Sequence, residues 1–406
     1  MSVTDKLIAI NKLANAYLPE VGVVKHATHE LQPATRASYT SGTEMKFRLK
    51  TAGYVDAYKS WLQFSIQGTT GSPTFGVGSA LNVIRNIRVF SKDGTEISRL
   101  QNANLYQFYK QSWSNENNWA TQIGTSQGYA ASDLTREQKF AIPLRYISPF
   151  FDQKKLISPM LLNDMKIEID LANVGQAIVS VTTPATEYTI TNPRMRLHTS
   201  YLDPKIDARI KQLADSTGLI LYHKEIHHEA KRGNNTSYNF GIQKAVSKGM
   251  SLAIIPRLVD SIDSTTNLVD GMSSEIFNFN KIQCSIGSNH FPSQPLDCSP
   301  SDPLEPFIYS LQAWDRLSGG ESPPNVTYSN EVDTADTYIG VLHNSKASIT
   351  FNFNKSNLRD HDGYSINDSR QLNINLDMVA ANRQLDCYLR YIRGVQYVKG
   401  IVRVLD

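Results

Sequence analysis

The chain repeats one arrangement of predicted elements in each of its two halves. An alternating strand and a turn lead to an aromatic-rich helix, which ends near Trp113 in the first half and near Trp314 in the second. Each half then closes with two alternating strands, at Met165–Leu171 with Met195–Tyr201, and at Leu372–Met378 with Leu389–Val398. Corresponding pieces are offset by about 195–207 residues, half the chain, as a duplicated domain would be. The repeat predicts two similar domains in tandem.

Length and charge limit the number of domains and the classes of function that the chain can have. A chain of 406 residues is long for one core and comfortable for two domains of average size. The net charge is +3, from 41 Lys and Arg against 38 Asp and Glu. This balance gives no electrostatic reason to bind nucleic acid, and the sequence has no basic tract. A protein that condenses a genome directly is therefore disfavoured.

Strand patterns dominate both halves and predict an all-β fold. Met45, Phe47 and Leu49 alternate with charged residues, which is typical of a strand with one buried face. Asp93-Gly94 lies between two further alternating runs and predicts a hairpin. Polar stretches predict long loops at 114–160, 259–274, 315–335 and 355–370, and a strand is predicted at 337–342 between the last two loops. About eight short strands in each half, with long loops and little helix, are typical of two tandem eight-stranded jelly rolls.

A short helix marks the predicted domain boundary. Asp203 can cap it, Pro204 suits its first position, and Gly218 can end it. Ile206, Ile210 and Leu213 are spaced to form its buried stripe. We therefore predict an N-terminal arm or helix at 1–40, a first jelly roll at 41–202, a linker helix at 203–220 and a second jelly roll at 221–406. The arm carries apolar residues at helical spacing at Leu7, Ile10, Leu13, Ala14 and Tyr17. This segment can pack on the body or a neighbouring subunit, or lie on a membrane.

No catalytic, cofactor-binding or metal site is predicted. The histidine run 223–228 lacks the zinc-protease motif, because Lys224 stands where that motif has glutamate. The run alternates like a strand, which turns His223 and His227 to one face without a third ligand. We therefore expect an ordinary strand surface there and not a structural metal site. Gly76 and Gly78 lack the third glycine of a dinucleotide-binding turn, and there is no phosphate-binding loop. Loop carboxylates at Asp360, Asp362 and Asp368 could hold calcium or stay solvated.

The three cysteines and the N-terminal residues indicate the cellular compartment in which the protein is made. Cys284, Cys298 and Cys387 are too few for a disulfide framework, so we expect reduced thiols, with Cys284 in a strand core. Met1–Lys6 has no signal-peptide character, and no stretch approaches the ~20 apolar residues of a membrane span. We expect a protein made inside a host cell and not secreted by the usual route.

Several stretches together resemble the double jelly-roll major capsid proteins of tailless icosahedral double-stranded DNA viruses. The likeness is greatest to those of polinton-like viruses, adintoviruses and virophages. The stretches are Met45–Lys50, Asp56–Phe64, Ile87–Ile97, Gly287–Pro292, Pro306–Tyr309 and Tyr391–Val395. Their order and spacing over most of residues 40–405 carry the resemblance.

The resemblance implies homotrimers whose six upright jelly rolls form a pseudo-hexagonal capsomer in a virion shell. It further implies minor capsid and penton proteins as partners, an internal membrane that residues 1–30 could contact, and no sequence-specific binding of nucleic acid. Two other functions stay open: a tandem jelly-roll carbohydrate-binding protein, and a minor or vertex capsid component. An enzyme such as a metal-dependent cupin would need a histidine and glutamate cluster, which the sequence does not suggest.

Overall fold

The computed structural model describes most of the chain after residue 21. The described residues are 22–76, 78–114, 119, 123–129, 133–180, 183–262, 272, 274, 279–298, 304–314, 348–353, 363–367, 369–378 and 382–406. The predicted helical segment 4–17, a predicted strand at 337–342 and the aspartates of the 360–368 loop lie outside these residues.

The first half contains the strands β1 (Val23–Leu31), β2 (Ser38–Thr40), β3 (Glu44–Arg48), β4 (Tyr54–Thr69), β5 (Pro73–Thr74), β6 (Ile84–Phe90), β7 (Glu96–Leu100), β8 (Gln138–Pro143), β9 (Leu156–Ile157), β10 (Lys166–Leu171), β11 (Val179–Ser180) and β12 (Glu187–Leu202). Its helices are α1 (Ala103–Ser114), α2 (Pro159–Leu162) and α3 (Val174–Ala177). Short 3-10 turns lie at Ala80–Val83, Gly124–Gln127, Leu144–Tyr146 and Pro149–Phe151.

Helix α4 (Pro204–Ser216) leads into the second half. Its strands are β13 (Leu219–Gly233), β14 (Ser237–Ile242), β15 (Val246–Leu258), β16 (Phe279–Ile286), β17 (Asn289–Asp297), β18 (Ile349–Asn352), β19 (Tyr364–Ile366), β20 (Leu372–Met378), β21 (Arg383–Val398) and β22 (Ile401–Leu405). The remaining described helices are α5 (Val259–Ile262) and α6 (Leu304–Ala313).

The two halves have the same sheet topology. In the first half the main sheets run β1-β12-β4-β8 and β3-β10-β6-β7; in the second they run β13-β21-β15-β18 and β14-β20-β16-β17. Each strand of these main sheets has an equivalent at the same sheet position in the other half, and neighbouring strands are antiparallel. In the first half β5 and β11 form a further two-stranded sheet. The prediction of two tandem eight-stranded jelly rolls is confirmed. Strands β2 and β9 extend the first half, and β19 and β22 extend the second.

Strand β10 shows why an alternating sequence forms this sheet. Ile167, Ile169 and Leu171 are buried in the core, and the intervening charged residues face outward. The neighbouring strands β3 and β6 place further charges on that outer face. Arg88 lies 3.2 Å from Glu168 and 3.1 Å from Glu44. One face of the sequence pattern is thus buried, and the other is a network of surface ion pairs.

The predicted hairpin joins β6 to β7 and is confirmed. The Ser91 carbonyl accepts from the Gly94 N–H at 3.1 Å, and the Ser91 N–H donates to the Thr95 carbonyl at 2.9 Å. Gly94 has φ +82°, a left-handed conformation that side chains with a Cβ disfavour. The Asp-Gly pair therefore reverses the chain with little strain.

Replacing Gly94 with alanine is expected to lower the free energy of unfolding by about 1–2 kcal/mol, because the residue keeps a positive φ. A Cβ at Gly94 would meet no atom within 4 Å, so the cost comes from the backbone alone. The matched variant Gly94→Asn should lose less, since asparagine tolerates this conformation. Equilibrium urea unfolding of the three proteins measures both values. Equal losses in the two variants would contradict this explanation.

The linker helix α4 begins as predicted. The Asp203 carboxylate accepts from the Lys205 N–H at 2.8 Å, Pro204 follows as the first helical residue, and Gly218 has φ +83° after the helix. The predicted apolar stripe at Ile206, Ile210 and Leu213 is only half-buried, whereas Ala214 is fully buried. The helix therefore lies on the surface instead of inside a core.

Several strands were not anticipated from the sequence. The segment 114–160, predicted as long loops, contains β8 and β9, which both pair with β4. The loop predicted at 355–370 contains β19, which pairs with β15. The predicted arm 1–40 contains β1, which pairs with β12 along the first sheet, and β2, which pairs with β12 further on. Both β1 and β8 lie at sheet ends, where one neighbour suffices and the hydrophobic alternation is weak. The bounds of the four predicted segments (the arm, the first jelly roll, the linker helix and the second jelly roll) stay predictions.

The hydrophobic core connects the two jelly rolls. A smaller cluster fills the interior of the second roll, around Ile254, Ile374 and Leu389. The larger cluster fills the first roll and continues into residues of the second, namely Leu221, Ile226, Ala253, Ile255, Met272, Phe307, Trp314, Tyr388, Val395 and Val402. The rolls are therefore packed against each other through a shared buried region, which we call the internal joint.

Candidate functional site: the joint between the two jelly rolls

Aromatic side chains from both halves meet in the internal joint. Tyr106 on α1 lies 5.1 Å from the ring of Tyr388 and 6.4 Å from that of Trp314. Trp113, at the end of the same helix, lies 5.8 Å from Phe307 on α6. These rings are all buried. Aromatic pairs of this kind contribute about 0.5–1.5 kcal/mol each beyond the area that they bury.

Hydrogen bonds fix the relative position of the two rolls. The Tyr388 hydroxyl donates to the Asn102 carbonyl at 3.1 Å, and the Tyr109 hydroxyl donates to the Met272 carbonyl at 3.2 Å. Arg393 on β21 donates to the Ile97 carbonyl on β7 at 3.0 Å. Each bond runs from a side chain of one half to the backbone of the other. Because such bonds are directional, they set the orientation that apolar packing leaves free.

A buried ion pair lies beside the aromatic cluster. Both the Nε and the Nη2 atom of Arg257 donate to one Asp386 oxygen, at 2.9 and 2.7 Å. His228 Nε2 lies 2.8 Å from the other oxygen, to which Gln384 donates at 2.9 Å. Burial favours the neutral acid, but Arg257 and His228 outweigh it and lower the pKa of Asp386 to about 2. The carboxylate is therefore charged although it is fully buried.

A second polar cluster reaches the joint from β13. His223 Nε2 lies 3.0 Å from a Glu225 oxygen, and the His223 ring is 5.5 Å from Phe150 of the first roll. Arg393 Nη1 lies 3.9 Å from Glu225, and Arg393 Nε lies 2.8 Å from Asp406. The sequence predicted an exposed strand surface at His223, and this was wrong. His223 is only 3% exposed, because the first roll covers this end of the strand.

The sequence predicted no catalytic, cofactor-binding or metal site, and the described residues include the histidines and glycines that were considered for one. His223 and His227 lie on strand β13, as predicted. No group of three or more His, Cys, Asp or Glu residues that could hold a metal ion occurs in the part of the chain that the structure describes. Gly76 and Gly78 precede a 3-10 turn and not a long helix.

The three cysteines are buried free thiols, as the sequence predicted. Burial raises the pKa of Cys284 and of Cys387 well above the ordinary value, which keeps both protonated and unreactive. Cys284 lies on β16 inside the second core. These residues therefore act as small apolar side chains.

Sequence reasoning found part of the joint and missed the rest. The aromatic ends of the two predicted helices marked Trp113 and Trp314, but as features of separate domains. Nothing in the sequence indicated that Asp386 and Arg257 pair, because 129 residues separate them. Among the described helices, none combines the length and the apolar character that crossing a bilayer requires.

Sheet topology and the internal joint together define the class of fold: a double jelly roll with both rolls in one chain. Known structures share it. The capsid of the virus PBCV-1 matches with a TM-score of 0.64 and 11% identity, over 94% of this chain and 97% of that chain. The Faustovirus major capsid protein matches with a TM-score of 0.58 and 9% identity, over 97% of each chain.

The mavirus major capsid protein matches with a TM-score of 0.54 and 12% identity, over 96% of this chain and 90% of that chain. The resemblance noticed in the sequence, to double jelly-roll capsid proteins, is thus confirmed at the level of the fold. No protein-family profile matches the sequence, and no curated protein matches it.

Proposed function

We propose that this chain is a major capsid protein that assembles into homotrimers, which tile the shell of an icosahedral double-stranded DNA virus. The observation that carries the proposal is the internal duplication: two jelly rolls with the same strand order are held together by a buried joint. Proteins of this fold that the comparison found are themselves capsid proteins. The chain would be located in the virion and would have a structural role without catalysis.

Geometry explains why such a chain suits a shell. Three copies supply six similar blocks, so a trimer has nearly sixfold edges and one gene product can fill a lattice. The net charge of +3 is compatible with a shell that does not bind nucleic acid in a sequence-specific way. Minor capsid and penton proteins would complete the shell where the lattice of trimers ends.

Size-exclusion chromatography with light scattering tests the proposal on the full chain. The proposal predicts a trimer, with three times the 45.4 kDa mass of the chain. Electron microscopy of the same fraction should show pseudo-hexagonal particles that associate into sheets or shells. A monomer that binds glycans would favour the carbohydrate-binding alternative. Oligomers that never form a lattice would favour a minor or vertex component.

The N-terminal arm is proposed to act in shell assembly and to contact an internal membrane through the part of residues 1–30 that precedes β1. Gly22, the first described residue, lies against Ile206 of the linker helix. Deleting residues 1–20 is expected to leave the trimer intact and to reduce the yield of shells or their binding to lipid vesicles. Light scattering and particle counts measure the two effects. An undiminished particle yield together with undiminished vesicle binding would contradict this role.

A further inference from the structure

The internal joint brings one strand of each roll together. Strand β7, at the edge of a sheet in the first roll, runs beside β13, at the edge of a sheet in the second. Ile97 and Leu100 on β7 are fully buried, and Leu221 and Ile226 on β13 are 8% and 5% exposed. An edge strand of the first roll is thus covered by an edge strand of the second.

Among the described residues, the equivalent strands have no such cover. By sheet position β17 corresponds to β7, and β1 corresponds to β13. Among the nine residues of β17 only Leu296 is buried, and none of the nine residues of β1 is. Val24 on β1 is 68% exposed, the largest exposure of a large hydrophobic residue among the described residues. Duplication has therefore left β1 and β17 exposed, although each has the sheet position of a strand that the internal joint covers.

Both exposed strands are suited to contact through side chains. Pro292 and Pro295 interrupt β17, and a proline cannot donate to a neighbouring strand. Unlimited edge-to-edge sheet growth through β17 is thereby blocked. On β12, Arg194 and Arg196 hold Glu30 of β1 at 2.6 and 3.2 Å, which orders side chains on this surface. A second copy of this chain carries the matching exposed strand, so the duplication predicts that a second copy covers this surface.

We propose that β17 of one copy docks beside β1 of a second copy, in the arrangement that β7 and β13 have within one chain. The inference rests on the proposed trimer and specifies which strands form it. The contact is heterologous, since the two surfaces differ, and a heterologous contact forms a closed ring when its rotation closes. In a trimer that this contact closes, three copies form a ring of six jelly rolls.

Paired cysteine variants test the contact. Thr28 on β1 and Ser293 on β17 are exposed, and the three native cysteines are buried, so Thr28→Cys and Ser293→Cys add accessible thiols to an otherwise unreactive chain. The double variant, treated with a short bismaleimide, should give a covalent trimer on a denaturing gel. Mixing the two single variants should give dimers, and each single variant alone should stay monomeric on the gel.

A matched control moves one thiol to the opposite edge of the same sheet. Ser237 on β14 is also exposed, and β14 lies at the far end of the sheet from β17. Thr28→Cys combined with Ser237→Cys should therefore give no cross-linked trimer. Dimers from Thr28→Cys alone would indicate a symmetric contact and would overturn the inference, as would a ladder extending beyond three chains.

Light scattering on the same samples separates this inference from the proposed function. Trimers in which Thr28 and Ser293 do not cross-link would overturn the β1–β17 contact and leave the capsid proposal intact. A protein that stays monomeric at every concentration would overturn both.

Discussion

Replacing Trp113 with alanine is expected to lower the free energy of unfolding by about 3–5 kcal/mol. The Trp113 side chain is completely buried and contacts Phe307 across the internal joint, so its loss removes packing from both jelly rolls at once. Equilibrium denaturation followed by circular dichroism measures the change. With the joint weakened, the single transition should also separate into two, one for each roll.

The control for this variant is Tyr222→Ala. Tyr222 is 41% exposed, so removing its ring should change the unfolding free energy by less than about 1 kcal/mol. A similar loss in both variants would mean that aromatic content matters and the joint does not. An unchanged transition in Trp113→Ala would contradict the view that the two rolls stabilise each other.

Asp386→Ala is expected to cost about 3–5 kcal/mol, because it leaves a buried arginine without its counter-ion. Arg257 and His228 both contact this carboxylate, and all three side chains are at most 8% exposed. Glu30→Ala is the matched control: Glu30 pairs with Arg194 at 2.6 Å, but both side chains are partly exposed. An exposed pair contributes about 0–1 kcal/mol. Comparable losses in the two variants would contradict the assignment of a structural role to the buried pair.

The same carboxylate predicts an acid-dependent loss of stability. Its pKa falls from 3.8 to about 2 on folding, so the unfolded chain binds a proton first as the pH drops. The stabilisation from Asp386 is therefore complete above pH 4 and is lost as the pH falls toward 2. Asp386→Asn lacks this component. Unfolding free energies of the two proteins, measured between pH 2 and 5, should converge at the acid end; a constant difference would contradict the assignment.

Local sequence patterns predicted the elements whose stability is decided locally. Strand β10 was predictable because its apolar residues alternate strictly, and the β6–β7 hairpin because Asp93-Gly94 suits only a few turns. The start of α4 was predictable because Asp203 and Pro204 fill the two positions where their side chains favour a helix. In each case the neighbouring residues contain the information that the fold uses.

The missed features depend on contacts between distant segments. Strand β1 has exposed residues on both faces, so it has no alternation that a sequence could reveal. Asp386 lies in an alternating strand, where its charge predicts a side chain exposed to solvent. The first roll nevertheless covers that face of β21. His223 was misjudged for the same reason. A residue in a doubly covered sheet looks like a surface residue until the covering domain is known.

The most direct test of the central claim is the shape of the assembled protein in cryo-electron microscopy. The account predicts a threefold particle with six blocks of similar size, in which neighbouring blocks alternate between the first and second jelly roll. Each pair within one chain should be joined through Trp113, Phe307 and Tyr388. A particle with one block per chain, or with the two rolls of a chain end to end, would contradict it.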